Sequence, residues 1–336
     1  MQWTLFDGVG MFYTLDRLGM EKEVGAINTK IAVENSIAQL LNAYYTIVLV
    51  KERLEVLNNS ILLSERRKEI AKNKYEVGKA SKLEYLAAQV DYNTDKTLVL
   101  QEEESLNNAK IDLNLLLGRA PSIQFEVFDE IDFSRNLRLD ELMSTATIKN
   151  PNLLLAQRNK NIAYLQSQEI RAERFPQIDF LTNYTYNTSS SEAGFLASNQ
   201  RNGYTYGFAA TMNIFNGGNT NRRAQNAKIN MQATELQIDQ LTLEIESNIS
   251  KVYTSYLNNL NLIDIEEENL EVAKENEEIA LERYRLGNTT ALELREAQVN
   301  LVEAESRLLD ARYRTKLSEI ELLRLSGNLL NPSTNN

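Results

Sequence analysis

The sequence of 336 residues contains no histidine and no cysteine, and only 4 prolines and 13 glycines. Without cysteine there is no disulfide, no thiolate metal site and no thiol nucleophile. Without histidine the sequence lacks the usual general base, every Ser-His triad and the commonest metal ligand. These absences argue against an enzyme, and the shortage of proline favours long helices.

The charge balance excludes a further class of protein. Lys and Arg total 36 against 47 Asp and Glu, a net charge of −11, whereas a nucleic-acid binder needs clustered cations. The acidic runs 102–104 and 266–268 are typical of solvated helix faces rather than of a catalytic carboxylate pair. No glycine-rich phosphate loop or cluster of metal ligands is present, so we expect no cofactor.

Targeting and membrane-spanning helical segments are missing from the sequence. Residues 1–4 have neither the basic start nor the apolar centre of a signal peptide. The longest aliphatic run, at residues 47–50, is far too short for a transmembrane helix.

Long stretches without glycine or proline dominate the chain. Residues 26–77 and 219–286 contain neither, and 83–117 and 139–175 are also predicted to be helical. One unbroken helix over 219–286 would be about 100 Å long, which favours an elongated bundle or coiled coil. After Gly287 a heptad pattern places leucine and alanine on one seam, and alanine permits close helix approach. The seam comprises Leu294, Ala297, Leu301, Ala304, Leu308, Ala311, Leu322 and Leu325.

The two ends of the chain match at an offset of 209 residues without a gap. The matched segments are 6–8 with 215–217, 69–71 with 278–280, 75–78 with 284–287, 83–84 with 292–293, 88–90 with 297–299, and Gly118 with Gly327. Because helical runs and breaks coincide in order, the sequence predicts an internal repeat.

One segment of the repeat occurs only once. Residues 178–187 and 204–214 alternate apolar and polar side chains with period two, and a polar loop over 188–203 separates them. The pattern fits a transmembrane strand pair with an external loop, and equally a water-soluble hairpin packed on a helix. Tyrosines near the loop favour the former, as does the marginal stability of an isolated strand pair. The residues predicted to face lipid are Trp3, Leu5, Tyr184, Tyr186, Tyr204, Tyr206 and Phe208.

The repeat also gives an expectation for the N-terminus. Trp3 and Leu5 match Met212 and Ile214, so residues 1–6 should end a strand equivalent to the second strand of the hairpin. Counterparts of 139–209 are missing, so we expect an N-terminally incomplete chain that lacks a helix, a strand, most of a second strand and any signal sequence.

Together these features resemble the TolC-like outer-membrane efflux protein family. The resemblance rests on the strand-to-turn segments 5–8 and 214–217, the Tyr-x-x-Gly breaks at 75–78 and 284–287, the Arg-Phe-Pro junction at 174–176 and Asn150-Pro151. It implies a non-enzymatic homotrimer in the bacterial outer membrane, with most of the chain in the periplasm. Its protomers share one transmembrane β-barrel in lipid and a periplasmic tunnel of coiled-coil helices. The present sequence carries three strands at most, fewer than a full-length protomer of the family.

The resemblance and the repeat divide the chain into seven segments. They are a strand end with its turn into a helix (1–17), helical hairpin 1 (18–118), an inter-repeat equatorial segment (119–138), a helix leading to the membrane (139–175), the β-hairpin (176–216), helical hairpin 2 (217–327) and a tail (328–336). The predicted fold is mainly α with a small β part.

The resemblance further implies a gated export duct of a tripartite efflux pump or type I secretion system. A periplasmic adaptor and an inner-membrane transporter of the RND, ABC or a similar class would be its partners. The alternative function is a soluble elongated coiled-coil scaffold or adaptor with a β-hairpin docking module.

The candidate site residues lie at the helix breaks. The resemblance implies an acidic constriction at Glu293 and Glu296, and a latch between Tyr284 and Glu84 in which Thr289 replaces an arginine. For each acid the alternative is a solvated residue facing the helix dipole. The residues predicted to dock an adaptor, each of which is equally a polar turn residue, are Tyr75, Gly78, Lys79, Lys82, Gly287, Asn288 and Thr290.

Overall fold

The structure is a computed structural model that describes residues 1–127, 130–190 and 198–330. Its elements in chain order are β1 (Gln2–Asp7), α1 (Gly10–Glu76), α2 (Lys82–Leu116), α3 (Leu139–Lys149), α4 (Pro151–Ala172), β2 (Gln177–Ser190), β3 (Ser198–Thr211), α5 (Asn219–Leu286) and α6 (Ala291–Ser326). The prediction of a mainly helical chain with a small sheet is confirmed. None of the helices in these ranges has an apolar stretch sufficient to cross a bilayer.

The chain divides into two compact units. The first contains Met1–Ile31 and Pro151–Glu244, and the second contains Ala32–Asn150 and Ile245–Asn336.

The first unit contains an antiparallel sheet in the order β1-β2-β3. Trp3 pairs with Phe180, Phe180 with Phe208, and Tyr184 with Tyr204. Directly paired residues lie on the same face, and so do residues two apart along a strand. Trp3, Tyr184, Tyr186, Tyr204, Tyr206 and Phe208 therefore share one exposed face, as the alternation predicts.

Leu5 departs from that alternation. The ladder shifts between Thr4, which pairs with Asp179, and Phe6, which pairs with Ile178. Leu5 is therefore the extra residue of a β-bulge, and Phe6 occupies the position on the aromatic face that the sequence pattern assigned to Leu5.

The hairpin boundaries also differ from the prediction. Thr188 pairs with Gln200, so the two strands extend well into the predicted loop 188–203, and residues 191–197 lie outside the described residues. At its other end β3 stops at Thr211, where its pairing with Gln177 at the start of β2 ends. Met212 and Ile214 are consequently not part of the strand.

The start of α1 lies against the end of α4 within the first unit. Gly8 approaches the backbone of Ala172, and Arg17 pairs with Glu169 at 2.8 Å. The positive φ angles of Gly8 and Val9 return 209 residues later at Gly217 and Gly218, immediately before α5. The left-handed backbone immediately before the long helix thus recurs in both repeats, although β3 ends further from its helix than β1 does.

The helix predicted over 139–175 is instead two helices, α3 and α4. Asn150 has an extended ψ of 119°, because the ring of the following Pro151 disfavours helical backbone at that position. Pro151 also lacks the N–H that a continuous helix would use.

The core of the second unit lies where the inter-repeat segment packs on helices. Ile47 and Val48, from the aliphatic run of α1, are fully buried in a cluster with Leu113, Val127 and Ile131. The described residues of 119–138 contain no regular helix or strand. On α6 the predicted seam is largely buried, including Leu294, Ala297, Ala304 and Leu322. Leu329, in the segment predicted to be a tail, packs on Ala38 and Ile320.

Candidate functional site

The two longest helices, α1 and α5, end next to the glycines that the sequence predicts, Gly78 and Gly287. The Gly78 amide donates to the Tyr75 carbonyl at 3.0 Å and the Lys79 amide to Lys74 at 2.7 Å. The Gly287 amide donates to Tyr284 at 3.1 Å and the Asn288 amide to Arg283 at 2.9 Å. These are two copies of one helix-ending motif, the Schellman motif, separated by 209 residues.

The helices that follow begin alike. The Ser81 hydroxyl accepts a hydrogen bond from the Glu84 amide, and the Thr290 hydroxyl accepts one from the Glu293 amide, both at 3.2 Å. Ser81 and Thr290 are therefore N-caps, and Glu84 and Glu293 lie in the first turn, where the helix dipole favours a negative charge. The segments 77–81 and 286–290 are called the tips below.

Tyr284 joins α5 to α2 beside the two tips. Its side chain is 1% exposed, and its hydroxyl donates to Glu84 Oε1 at 2.8 Å. Lys74 Nζ lies 3.8 Å from the centroid of the Tyr284 ring and donates to the Tyr284 carbonyl. By contrast its counterpart Tyr75 is 39% exposed and stacks on Tyr85. The structure thus brings together Tyr284 and Glu84, a pair that the resemblance implies.

Thr289 has another partner than the implied latch. Its hydroxyl donates to the carboxylate of Glu293 on the same turn. Residues four apart in sequence are neighbours at the start of a helix, so the short side chain of Thr289 can bond to Glu293. The longer side chain of an arginine at this position would extend beyond Glu293.

Glu293 and Glu296 are exposed on one side of α6. They line a shallow groove of about 270 Å³ together with Asn276, Arg283 and Asn300. The predicted docking residues Tyr75, Gly78, Lys79, Lys82, Gly287, Asn288 and Thr290 are likewise exposed. In the described part of the chain no group of three or more Asp or Glu residues is arranged to hold a metal ion.

A buried ionic network behind the tips escaped the sequence analysis. The guanidinium of Arg67, 1% exposed, donates to Gln298 Oε1 at 2.7 Å and to Asp91 Oδ2 at 2.9 Å. Gln298 donates in turn to Glu277 at 3.2 Å. Nearby, Arg295 contacts the buried Asp95 at 3.3 Å. Burial lowers the pKa of Arg67, an effect that the carboxylate of Asp91 opposes.

One sequence signal could have located this network. Arg67 lies on α1 between the buried Ser64 and Ala71, at the spacing of a single helix face. A charged residue on an otherwise small and buried face is unusual, because a buried charge needs partners.

The interaction of Tyr284 with Glu84 should depend on pH. Burial and, secondly, the hydrogen bond to Glu84 raise the pKa of Tyr284 above its usual value. Because the folded pKa exceeds the unfolded pKa of about 10, the contribution is complete below pH 10 and is lost as the pH rises further. We expect Tyr284→Phe to lower the free energy of unfolding by about 1–2 kcal/mol at pH 7, and the deficit to shrink above pH 10.

Denaturant unfolding followed by circular dichroism between pH 7 and 11 measures this. The control is Tyr75→Phe, which removes the hydroxyl of the exposed counterpart and should change little at any pH. Equal effects of the two substitutions would contradict the assignment.

Comparison with known proteins agrees with this fold. The sequence model of a family described as outer membrane efflux protein matches residues 142–328. The chain therefore belongs to the outer membrane efflux protein family. It is an outer-membrane protein and not an enzyme.

Individual relatives are more distant. Outer membrane protein TolC of Vibrio cholerae is 22% identical over 298 residues, which cover 87% of this chain and 68% of TolC. The probable efflux pump outer membrane protein TtgC of Pseudomonas putida is 24% identical over 322 residues, which cover 92% of this chain. Only 63% of TtgC is covered, so this chain spans less than two thirds of its length.

Solved structures share the fold. The outer-membrane channel OprN superposes with a TM-score of 0.82 at 17% identity, covering 97% of this chain and 73% of OprN. CusC gives a TM-score of 0.81 at 16% identity, covering 97% of this chain and 76% of CusC.

Proposed function

We propose that the chain is the outer-membrane channel component of a tripartite efflux pump or type I secretion system. It would form a gated duct from the periplasm to the exterior. The observation that carries this proposal is the contact of Tyr284 with Glu84, which ties α5 to α2 beside the tips while Glu293 and Glu296 stay exposed on α6. Family membership favours a duct over the alternative of a soluble scaffold.

A homotrimer would complete the duct. β3 is an edge strand of the sheet, so its outer backbone groups are available to a strand of another copy. On α5, side chains spaced seven residues apart, Ile265, Val272, Ile279 and Leu286, are all at least half exposed. Such a stripe is typical of the seam of a coiled coil, and a neighbouring protomer would cover it.

In this assembly the exposed tips would contact a periplasmic adaptor, which connects the duct to an inner-membrane transporter of the RND, ABC or a similar class. The aromatic face of the sheet, with Trp3, Tyr204, Tyr206 and Phe208, would contact outer-membrane lipid. No nucleic acid and no cofactor would take part.

The proposed gate makes an electrical prediction. Three copies of Glu293 and Glu296 around one axis would enrich cations in the constriction. We expect the double substitution Glu293→Gln and Glu296→Gln to reduce the cation-to-anion permeability ratio by about tenfold, the low end of the enrichment in a charged cleft. Single-channel recording of the full chain in a planar bilayer measures this ratio at several salt concentrations.

Glu141→Gln is the control, since Glu141 is an exposed acid on a different helix, α3. It should leave the ratio unchanged. Equal ratios for the wild type and the double variant would remove Glu293 and Glu296 from the gate, and failure of every variant to conduct would count against the duct itself.

A further inference from the structure

Beside the tips, Arg67 and Lys74 of α1 reach across to the hairpin formed by α5 and α6. Arg67 and Lys74 are seven residues apart, so they lie on one face of α1, two turns from each other. The fully buried Ala71 lies between them on that face. Arg67 contacts α6 and Lys74 contacts α5.

The guanidinium of Arg67 joins α1 to α2 and α6. Its Nη1 donates to Gln298 on α6 and its Nη2 to Asp91 on α2. Gln298 passes the connection to Glu277 on α5. The planar fork of arginine serves two acceptors at once, which a lysine would not do with the same geometry.

Lys74 makes its contacts two helical turns from Arg67, next to the tips. It lies over the ring of Tyr284, and it donates to a carbonyl in the last turn of α5. A cation is favoured there by the ring face and by the negative end of the helix dipole. The hydroxyl of the same tyrosine is held by Glu84 of α2.

The repeat-related positions on α5 do not make the same contacts. The counterpart of Arg67 is Asn276, and the counterpart of Lys74 is Arg283, which donates to Asn288 in its own turn at 3.3 Å. The cations that α1 directs at the second hairpin are thus not repeated on α5, and the second hairpin contributes a different cation, Arg295 of α6, which contacts Asp95 of α2 at 3.3 Å. A buried charge is rarely the most stabilising choice for a core, but it can specify one arrangement of helices.

We propose that Arg67 and Lys74 form a two-cation clamp that holds the α5–α6 hairpin against the α1–α2 hairpin beside the tips. Separation of the hairpins then requires the release of both cations. The clamp deepens the proposed function by adding two positioning residues behind the gate, and its consequence for transport rests on that function. Its structural part can be tested whether or not the chain conducts.

The test is a distance between the tips. The sequence contains no cysteine, so Lys79→Cys and Asn288→Cys place two spin labels at exposed, repeat-related positions. Pulsed electron–electron double resonance gives the distance distribution between the two labels. It is recorded on the full chain in detergent, with labelled copies diluted by unlabelled ones. The clamp variants are Lys74→Gln and Arg67→Gln, with Arg67→Lys to keep the charge but remove the fork.

We expect a single narrow distribution for the parent and a longer, broader one for each clamp variant. Lys74→Gln should raise the ratio of separated to joined tips about tenfold, because a cation–π contact and a charge-assisted hydrogen bond are both lost. The controls are Lys72→Gln and Arg66→Gln, exposed cations on the same helix, which should leave the distribution unchanged.

Unchanged distributions in both Lys74→Gln and Arg67→Gln, with helical content preserved, would overturn the clamp. If Arg67→Gln fails to fold, Lys74→Gln decides alone, since Lys74 is only partly buried. A shift in distance without any conductance in a bilayer would support the clamp while rejecting the duct. Equal shifts in the control variants would also reject the clamp.

Discussion

Gly327→Ala is expected to lower the free energy of unfolding by about 2–5 kcal/mol, the sum of a left-handed backbone penalty and a steric clash. Gly327 ends α6 with a φ of 73°, and a Cβ there would lie 2.5 Å from the carbonyl oxygen of Lys149. The obstacle is backbone, so no side-chain rotation can remove it.

The backbone facing Gly327 is also held in place. Asn150, 2% exposed, donates from its side chain to the Leu325 carbonyl at 2.8 Å, and its amide donates to Ala146 at 3.0 Å. Lys149 donates to Asn328 at 3.1 Å. Moving α3 away from α6 to admit a methyl group would therefore break hydrogen bonds at a buried position.

The repeat supplies the matched control for this substitution. Gly118 ends α2 with a φ of 64° and the same pair of hydrogen bonds, but a Cβ there meets nothing within 4 Å. Gly118→Ala should cost only the backbone penalty of about 1–2 kcal/mol. Denaturant unfolding of both variants measures the difference, and equal losses of stability would contradict a close approach at Gly327.

Gly8→Ala should destabilise the first unit by a similar amount. Gly8 has a φ of 72°, and its Cβ would lie 2.4 Å from the Ala172 carbonyl oxygen and 2.6 Å from Phe175 Cβ. That carbonyl already accepts the Phe175 amide at 3.0 Å in the turn that leads into β2. We expect a loss of about 2–5 kcal/mol, with separation of β1 from β2 as the structural consequence.

Gly217→Ala is the corresponding control, since Gly217 has a φ of 65° and no atom within 4 Å of a Cβ. The thermal midpoint of the full chain in detergent, followed by circular dichroism in the β and helical bands, should fall much further for Gly8→Ala. Similar midpoints for the two variants would show that the junction of β1 and α4 can adapt.

These glycine pairs indicate what the repeat preserves. Turns, caps and helix ends recur at an offset of 209 residues, because each depends on hydrogen bonds within a few neighbouring residues. The contacts around them do not recur: Tyr284 is buried and Tyr75 is not, and Gly327 is covered while Gly118 is open. Local chemistry repeats, and tertiary packing distinguishes the copies.

The sequence alone sufficed for the long helices, their breaks at Gly78 and Gly287 and the repeat, but not for the division of 139–175 into α3 and α4. Glycine and proline act within one turn of the backbone, so the breaks at Gly78 and Gly287 were predictable from composition and spacing. The alternation of the strands likewise predicted one aromatic face. The pairing of Tyr284 with Glu84 came from a family resemblance and not from the residues themselves.

Only the tertiary structure decided the rest. The bulge at Leu5 depends on the register of β1 against β2. The extension of β2 and β3 beyond the pair Thr188–Gln200 depends on the hydrogen-bonded ladder between the two strands. The burial of Arg67 and its link to Gln298 join residues 231 positions apart in sequence. Periodicity reports which face of a helix is buried, but the partner of a buried charge is set by which other helix lies against that face.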